Sequence, residues 1–169
     1  MLDSLSNIFK ITELRNKILY TLMMFAVFRA GIHIPVPGVD ASVIESLFTS
    51  GNLFGLLDLF AGGALSKFSI FAMSITPYIN ASIIMQLLQS VVPQFEAWSK
   101  DGEDGRKKIA KVTRYGTVVL GFVQAAGMAF ALRANNALVN NDFLSVFVVA
   151  IILTAGTCLL MWIGEQITA

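Results

Sequence analysis

Charge is scarce in this chain. Only 14% of its 169 residues are Asp, Glu, Lys or Arg, where an ordinary soluble domain carries about 25%. Hydrophobic residues make up 56%, and the mean hydropathy is +0.72. The formal net charge of +1 says little, because the charges are unevenly spread. Cysteine is scarcer still. Cys158 stands alone, so there is no disulfide framework, and its place in an apolar run reads as a packed membrane thiol rather than a reactive one. His33 is the one histidine, and HExxH, CxxC and phosphate-loop patterns are absent. Metal and nucleotide chemistry are therefore not expected, and no cofactor is implied. The opening MLDSLSNIFKITELRNK is no signal peptide: it starts with acidic and polar residues and leads to no small-residue cleavage site.

What the chain has is long uncharged runs. Phe68 to Phe95 holds no charged residue for 28 positions, and about 20 apolar residues suffice for a helix to cross a bilayer. Thr76, Pro77, Asn80, Ser82 and Gln86 lie inside it. Polar groups in hydrocarbon face other helices or a watery path, so this run reads as part of something that opens. The remaining chain organises around it. Residues 1–17 read as an amphipathic interfacial segment, and 18–34 as a first span with Arg29 near its far end. Arg29 either snorkels to the headgroups or finds a partner inside the bundle. Pro35 and Pro37 end that span. Leu53 to Ser66 is apolar but too short to cross, and it carries Asp58 and a Gly62-Gly63 break. It is either re-entrant or an interfacial helix. A second span covers 67–93, a basic hydrophilic loop 94–114, a third span 115–134, a polar turn 135–142 and a fourth span 143–164.

Four spans place both ends on one side. Lys10, Arg15 and Lys17 and the six basic residues Lys100, Arg106, Lys107, Lys108, Lys111 and Arg114 share that side; Lys67 and Arg133 face the other. The positive-inside rule makes the basic side cytoplasmic. On a helical wheel the second span puts Ile75, Ile79, Ser82 and Gln86 on one stripe, with Asn80 and Ile83 on an adjacent face. Such a stripe fits a hydrophobic constriction that closes by dewetting, or interhelical packing with Asn, Ser and Gln as hydrogen-bonding groups. The basic loop fits contact with anionic lipid or with an acidic or phosphate-bearing partner. Gly116, Gly121, Gly127 and Gly156 mark the last two spans as helices that approach closely.

Several strings together resemble one family, the bacterial SecY protein-conducting channel. ELRNKILYTLMMFAVFRAGIHIPVPGVD is similar to its first helix and following loop, and LLDLFAGGALSKFSIFAMSITPYINASIIMQLL to its plug and second helix. DGEDGRKKIAKVTRYGT resembles its first large cytoplasmic loop, and LMWIGEQIT the end of its fourth helix. The resemblance covers essentially the whole chain, in order. It implies an all-α polytopic membrane protein: four transmembrane helices plus a short re-entrant plug helix, part of a ten-helix inverted-repeat channel. Ala169 stands where the family continues with glutamate, so the resemblance implies a piece of a longer chain, with the remainder of that chain as a partner.

Residue by residue, Ile75 and Ile79 would belong to the pore ring. Asn80, Ile83 and Gln86 would line the lateral gate. The plug would run from Gly55 through Leu56, Leu57, Asp58, Leu59 and Phe60, then Ala61, Gly62, Gly63, Ala64, Leu65 and Ser66. Lys100, Arg106, Lys107, Lys108, Lys111 and Arg114 would meet the SecA motor or the ribosome. Implied partners are SecE and SecG, signal sequences, nascent secretory and membrane proteins and the phospholipid bilayer, in the bacterial cytoplasmic membrane. Such a channel is not an enzyme. The rival readings are a small-molecule transporter subunit, with Arg29 and Asp58 as the only charges near the membrane, and a half-channel that forms a homodimer.

Overall fold

The computed structural model describes residues 11–49, 64 and 66–168. Six helices run through them: α1 Thr12–Gly31, α2 Ala41–Thr49, α3 Thr76–Val91, α4 Pro93–Lys100, α5 Gly102–Ala134 and α6 Phe143–Thr168. Among the described residues the extended pairings are two isolated bridges, Pro35 with Ser69 and Val39 with Leu138.

Three helix pairs lie antiparallel. Phe130 stands against Phe143 and Phe122 against Phe147, at ring separations of 6.2 and 6.0 Å, while Arg114 meets Glu165. This sets the register of α5 on α6. The contact is made of small residues. Thr113, Thr117, Gly121, Ala125 and Ala129 recur every four positions on the buried side of α5, a spacing that lets backbones approach. The buried threonines satisfy their hydroxyls locally: Thr117 and Thr154 donate to Thr113 O and Ala150 O at 2.8 and 2.7 Å. The α3 helix lies on the other flank of α5 through Pro77, Ala81 and Met85, with Pro77 opposite Gly121 and Ala81 opposite Gly116. Along α1, Met24 shares a core with Phe71 and with Leu160 and Ile163 of α6, with Tyr20 and Phe28 packed against it.

The second uncharged run differs from the expectation of one helix over 67–93. Helix begins only at Thr76. Upstream, residues 66–75 form a chain of turns, with Phe68 and Ser74 at positive φ of 41° and 53°. These angles are incompatible with a continuing right-handed helix. Pro77 lies in the first turn of α3, where its missing N–H costs no helical bond. The 16 residues of α3 rise about 24 Å, short of the roughly 30 Å hydrocarbon core. Irregular backbone at such depth is tolerated only inside protein, and here Ser69, Phe71, Ala72 and Met73 are all buried.

The basic stretch 94–114 also differs from the expected loop. It is α4 followed by the first turns of α5. Ion pairs at i,i+4, Glu96–Lys100 and Glu103–Lys107, line its surface, and Glu103 and Asp104 occupy the α5 first turn, where acids complement the helix dipole. Helix α1 likewise starts at Thr12, inside the segment read as interfacial, and ends at Gly31. The rest of that segment, residues 1–10, lies outside the described residues.

Candidate functional site

The exposed side of α3 is the candidate site. Pro77, Ala81 and Met85 turn toward α5, which leaves Ile75, Ile79, Ile83 and Gln86 on the outside. Ile75 and Ile79 are 44% and 45% exposed, and Ile83 50%. The stripe read from the wheel is thus an exposed face, except that Ser82 is half-buried. Asn80 is half-buried as well. The face carries branched hydrocarbon and one amide tip. Nothing on it is nucleophilic or titratable, and among the described residues no cluster of His, Cys, Asp and Glu fits a metal. Chemically such a face does little except repel water and decline to hold polar chain.

Ile75 and Tyr78 also border a groove of about 480 Å³ closed off by Leu160, Arg114 and Glu165. Arg114 Nε donates to Glu165 Oε1 at 2.6 Å, so this cation ties α5 to α6. A second groove of about 390 Å³ lies under the C-terminal half of α3, where Ser82, Gln86 and Gln89 face Ser99, Arg106 and Thr113. The other basic residues of this end are mostly engaged within the chain. Lys100 pairs with Glu96 at 2.6 Å and Lys107 with Glu103 at 3.6 Å. Lys108 Nζ sits 6.0 Å from the Trp98 ring centroid, and Lys111 lines a shallow surface groove with Arg114 and Tyr115. The pairing with Lys100, first through its hydrogen bond and then through its charge, holds the Glu96 carboxyl below its ordinary value.

Of the residues assigned to the plug, Ala64 is buried and Ser66 half-buried. Gly55 to Gly63 and Leu65 lie outside the described residues. Two residues important to the site, Ser69 and Gly31, escaped the sequence reading, and Gly156 was read there only as a small residue that lets helices approach. Ser69 is fully buried and donates its hydroxyl to Ala64 O at 3.2 Å while accepting from Phe71 N. Gly31 receives the Phe71 ring and Gly156 the Ile70 carbonyl. The available signal was a glycine in each of two helices, indistinguishable in sequence from the other glycines of the spans.

Large apolar side chains cover the outside: Leu19, Leu22 and Phe25 of α1, Val119 and Val123 of α5, Ile151 and Trp162 of α6 are all exposed. Among the described residues, α5 and α6 are long and apolar enough to cross a membrane. An apolar exterior around a core of small residues and bonded hydroxyls is the arrangement of a helical membrane protein. Within that class, residues 69–169 match the SecY family model. The chain is 54% identical to the protein translocase subunit SecY of Halalkalibacterium halodurans and 52% identical to that of Bacillus subtilis, in each case across 100% of this chain and 40% of the relative. With the Staphylococcus aureus subunit it shares 48% identity over 99% of this chain and 40% of the relative. The chain belongs to the SecY family, and it spans 40% of the length of these curated relatives.

Proposed function

We propose that this chain forms the N-terminal part of a SecY-type protein-conducting channel, which passes signal-bearing polypeptides across the bacterial cytoplasmic membrane and releases transmembrane segments sideways into it. In this reading four passes are made, by α1, by the turns at 66–75 together with α3, by α5 and by α6. They join further helices of a ten-helix inverted repeat. Ile75 and Ile79 contribute to the pore ring; Asn80, Ile83 and Gln86 belong to the lateral gate; Gly55 to Ser66 is the plug. The end that carries α4 faces the cytoplasm, where SecA or the ribosome docks. SecE and SecG complete the assembly.

The observation that carries the reading is the unpartnered, uncharged isoleucine face of α3. In water it would collapse onto something apolar. In a ring of similar faces it excludes ions by dewetting yet offers a passing backbone no strong binding site. A signal sequence that prefers a laterally opened state shifts the channel toward it. The transporter alternative finds no support on this face, which has no charge to bind a solute, and the relatives are all named as translocase subunits.

Site-specific crosslinking tests it. In a Cys158→Ser background, single cysteines at Ile79, Asn80 and, as control, Val148 are introduced into the assembled channel, and a secretory precursor with a cysteine near its signal sequence is stalled. Adducts are expected at positions 79 and 80 and not at 148. Equal adducts at all three, or none in a normally assembled channel, would remove the channel assignment for α3.

A further inference from the structure

We propose that Gly156 of α6 and Gly31 of α1 are positioning residues for the constriction: they leave the space in which a buried non-helical pedestal sets where α3, and with it Ile75 and Ile79, stands. The inference rests on the pore reading of α3 and adds residues that never touch the pore.

The pedestal is Phe68 to Ser74. Its contacts leave no slack. Ile70 N donates to Ile34 O at 3.1 Å, and Val36 N donates to Phe68 O at 3.0 Å. The segment is thereby tied to the exit of α1. The Ile70 carbonyl oxygen lies where a β-carbon at position 156 would be. The Phe71 ring fills the space a β-carbon at position 31 would take, and it stacks on Phe28 at 5.6 Å between centroids. Ser69 braces the turn from inside, with Phe71 N donating to its hydroxyl at 3.2 Å. The two left-handed residues, Phe68 and Ser74, mark the ends. Left-handed backbone at non-glycine residues persists only where surroundings enforce it. Ser74 lies immediately before Ile75, whose carbonyl accepts from Ile79 N at 3.0 Å. A push at Ile70 therefore reaches the isoleucines through Ser74. It meets no counter-contact on their outer face, which this chain leaves bare.

The two glycines differ in what yields. At position 31 the obstacle is a side-chain ring, which a smaller residue removes. At position 156 the obstacle is backbone, so any β-carbon must displace the pedestal or α6.

The test is resting ion conductance of the assembled channel in planar bilayers, with membrane abundance measured in parallel. Ile79→Gly is the arm that tests the pore reading. Gly156→Ala is expected to raise resting leak about tenfold, the factor given by a shift of about 1.4 kcal/mol from overpacking. Phe71→Leu, which only removes bulk, lets the pedestal sag and raises leak by a smaller factor. Adding Gly31→Ala to Phe71→Leu refills the gap and brings leak back toward the parent value. A merely structural role would lower abundance without raising leak per channel. Parental leak from both Gly156→Ala and Phe71→Leu, while Ile79→Gly leaks, overturns the inference and leaves the pore reading intact. Should Gly156→Ala not accumulate, Phe71→Leu with and without Gly31→Ala decides. An Ile79→Gly channel that stays tight removes the pore reading, and the inference with it.

Discussion

At Asp40 one residue joins two elements. Its carboxylate accepts from Ser42 N and Ser42 Oγ at 3.0 and 2.7 Å, which caps the start of α2, and its own N–H donates to Ala137 O at 2.8 Å. The Ser42 hydroxyl, then the Ser42 and Val43 amides, hold the Asp40 carboxyl below the ordinary value of 3.8. The sign follows. A folded-state pKa that is depressed stabilises the capped form above the ordinary value, and the stabilisation fades as pH falls through 3.8 toward the lowered value. Protection of the Val43 and Ile44 amides, taken relative to the intrinsic exchange rate at each pH, is therefore expected to fall below that pH in the parent chain. Asp40→Asn retains an acceptor oxygen and keeps its protection as pH falls, whereas Asp40→Ala is weakly protected at every pH. Protection that is flat with pH in the parent would show that the carboxylate does not hold the cap.

Helix α4 poses the element-scale question, since its eight residues are too few to be stable alone. Trp98 supplies the missing support. It meets Phe95 edge-on at 5.3 Å between ring centroids and lies under Lys108 of α5. Its carbonyl sits against Gly105 so closely that a β-carbon there would overlap it. Trp98→Ala is expected to free α4, at a loss of about 1–2 kcal/mol for a half-exposed aromatic contact and a cation–π pair. Limited proteolysis checks it: cleavage between Val92 and Asp101 should rise several-fold, with α5 and α6 still protected. Unchanged cleavage would mean that Pro93 and the Glu96–Lys100 pair suffice. This region also shows where sequence reading runs out. A stretch rich in Lys, Arg, Asp and Glu looks like a solvated loop, and the i,i+4 pairing that makes it helical adds only tenths of a kcal/mol per pair. The start of α3 was hidden for a different reason. Helical and non-helical parts of the 68–95 run share one apolar composition, and only Pro77 marks the change. The exposed stripe of Ile75, Ile79 and Gln86 was legible, because periodicity survives whatever lies upstream. The small-residue seam of α5 was legible only in part: Gly121 stood out as glycine, while Thr113, Thr117, Ala125 and Ala129 at the same spacing did not.

The whole molecule is polarised along the helix axes. Tyr20 lies near Gln166, with 3.5 Å between Oη and Oε1, and Arg114 meets Glu165. The start of α1, the end of α6, α4 and the start of α5 thus share one end. Arg15, Lys17, Lys100, Arg106, Lys107, Lys108, Lys111 and Arg114 all belong to that end. Lys67 and Arg133 belong to the opposite end, where Asp40 and Ala137 join the loops. Basic residues near span ends are retained on the cytoplasmic side during insertion, which is the basis of the proposed orientation with this end in the cytoplasm. Impermeant maleimide labelling in a Cys158→Ser background tests it, with single cysteines at the exposed positions Ser99 and Asn140. Position 99 should react in inverted vesicles and be protected in right-side-out vesicles; position 140 should show the reverse. Reaction of both from one face would mean that α5 does not cross, and its long apolar exterior would then need protein rather than lipid as its cover. Glu165 sharpens the comparison. Its pairing with Arg114 anchors the α6 terminus beside the basic end, so reversing α5 alone would separate an ion pair as well as carry across the five cations at its start, Arg106, Lys107, Lys108, Lys111 and Arg114. The opposing-face result is therefore expected to persist in Glu165→Gln, because a partly exposed ion pair contributes about 1 kcal/mol, less than the summed bias of the cations. A variant that scrambles orientation instead would place the determinant in the pair.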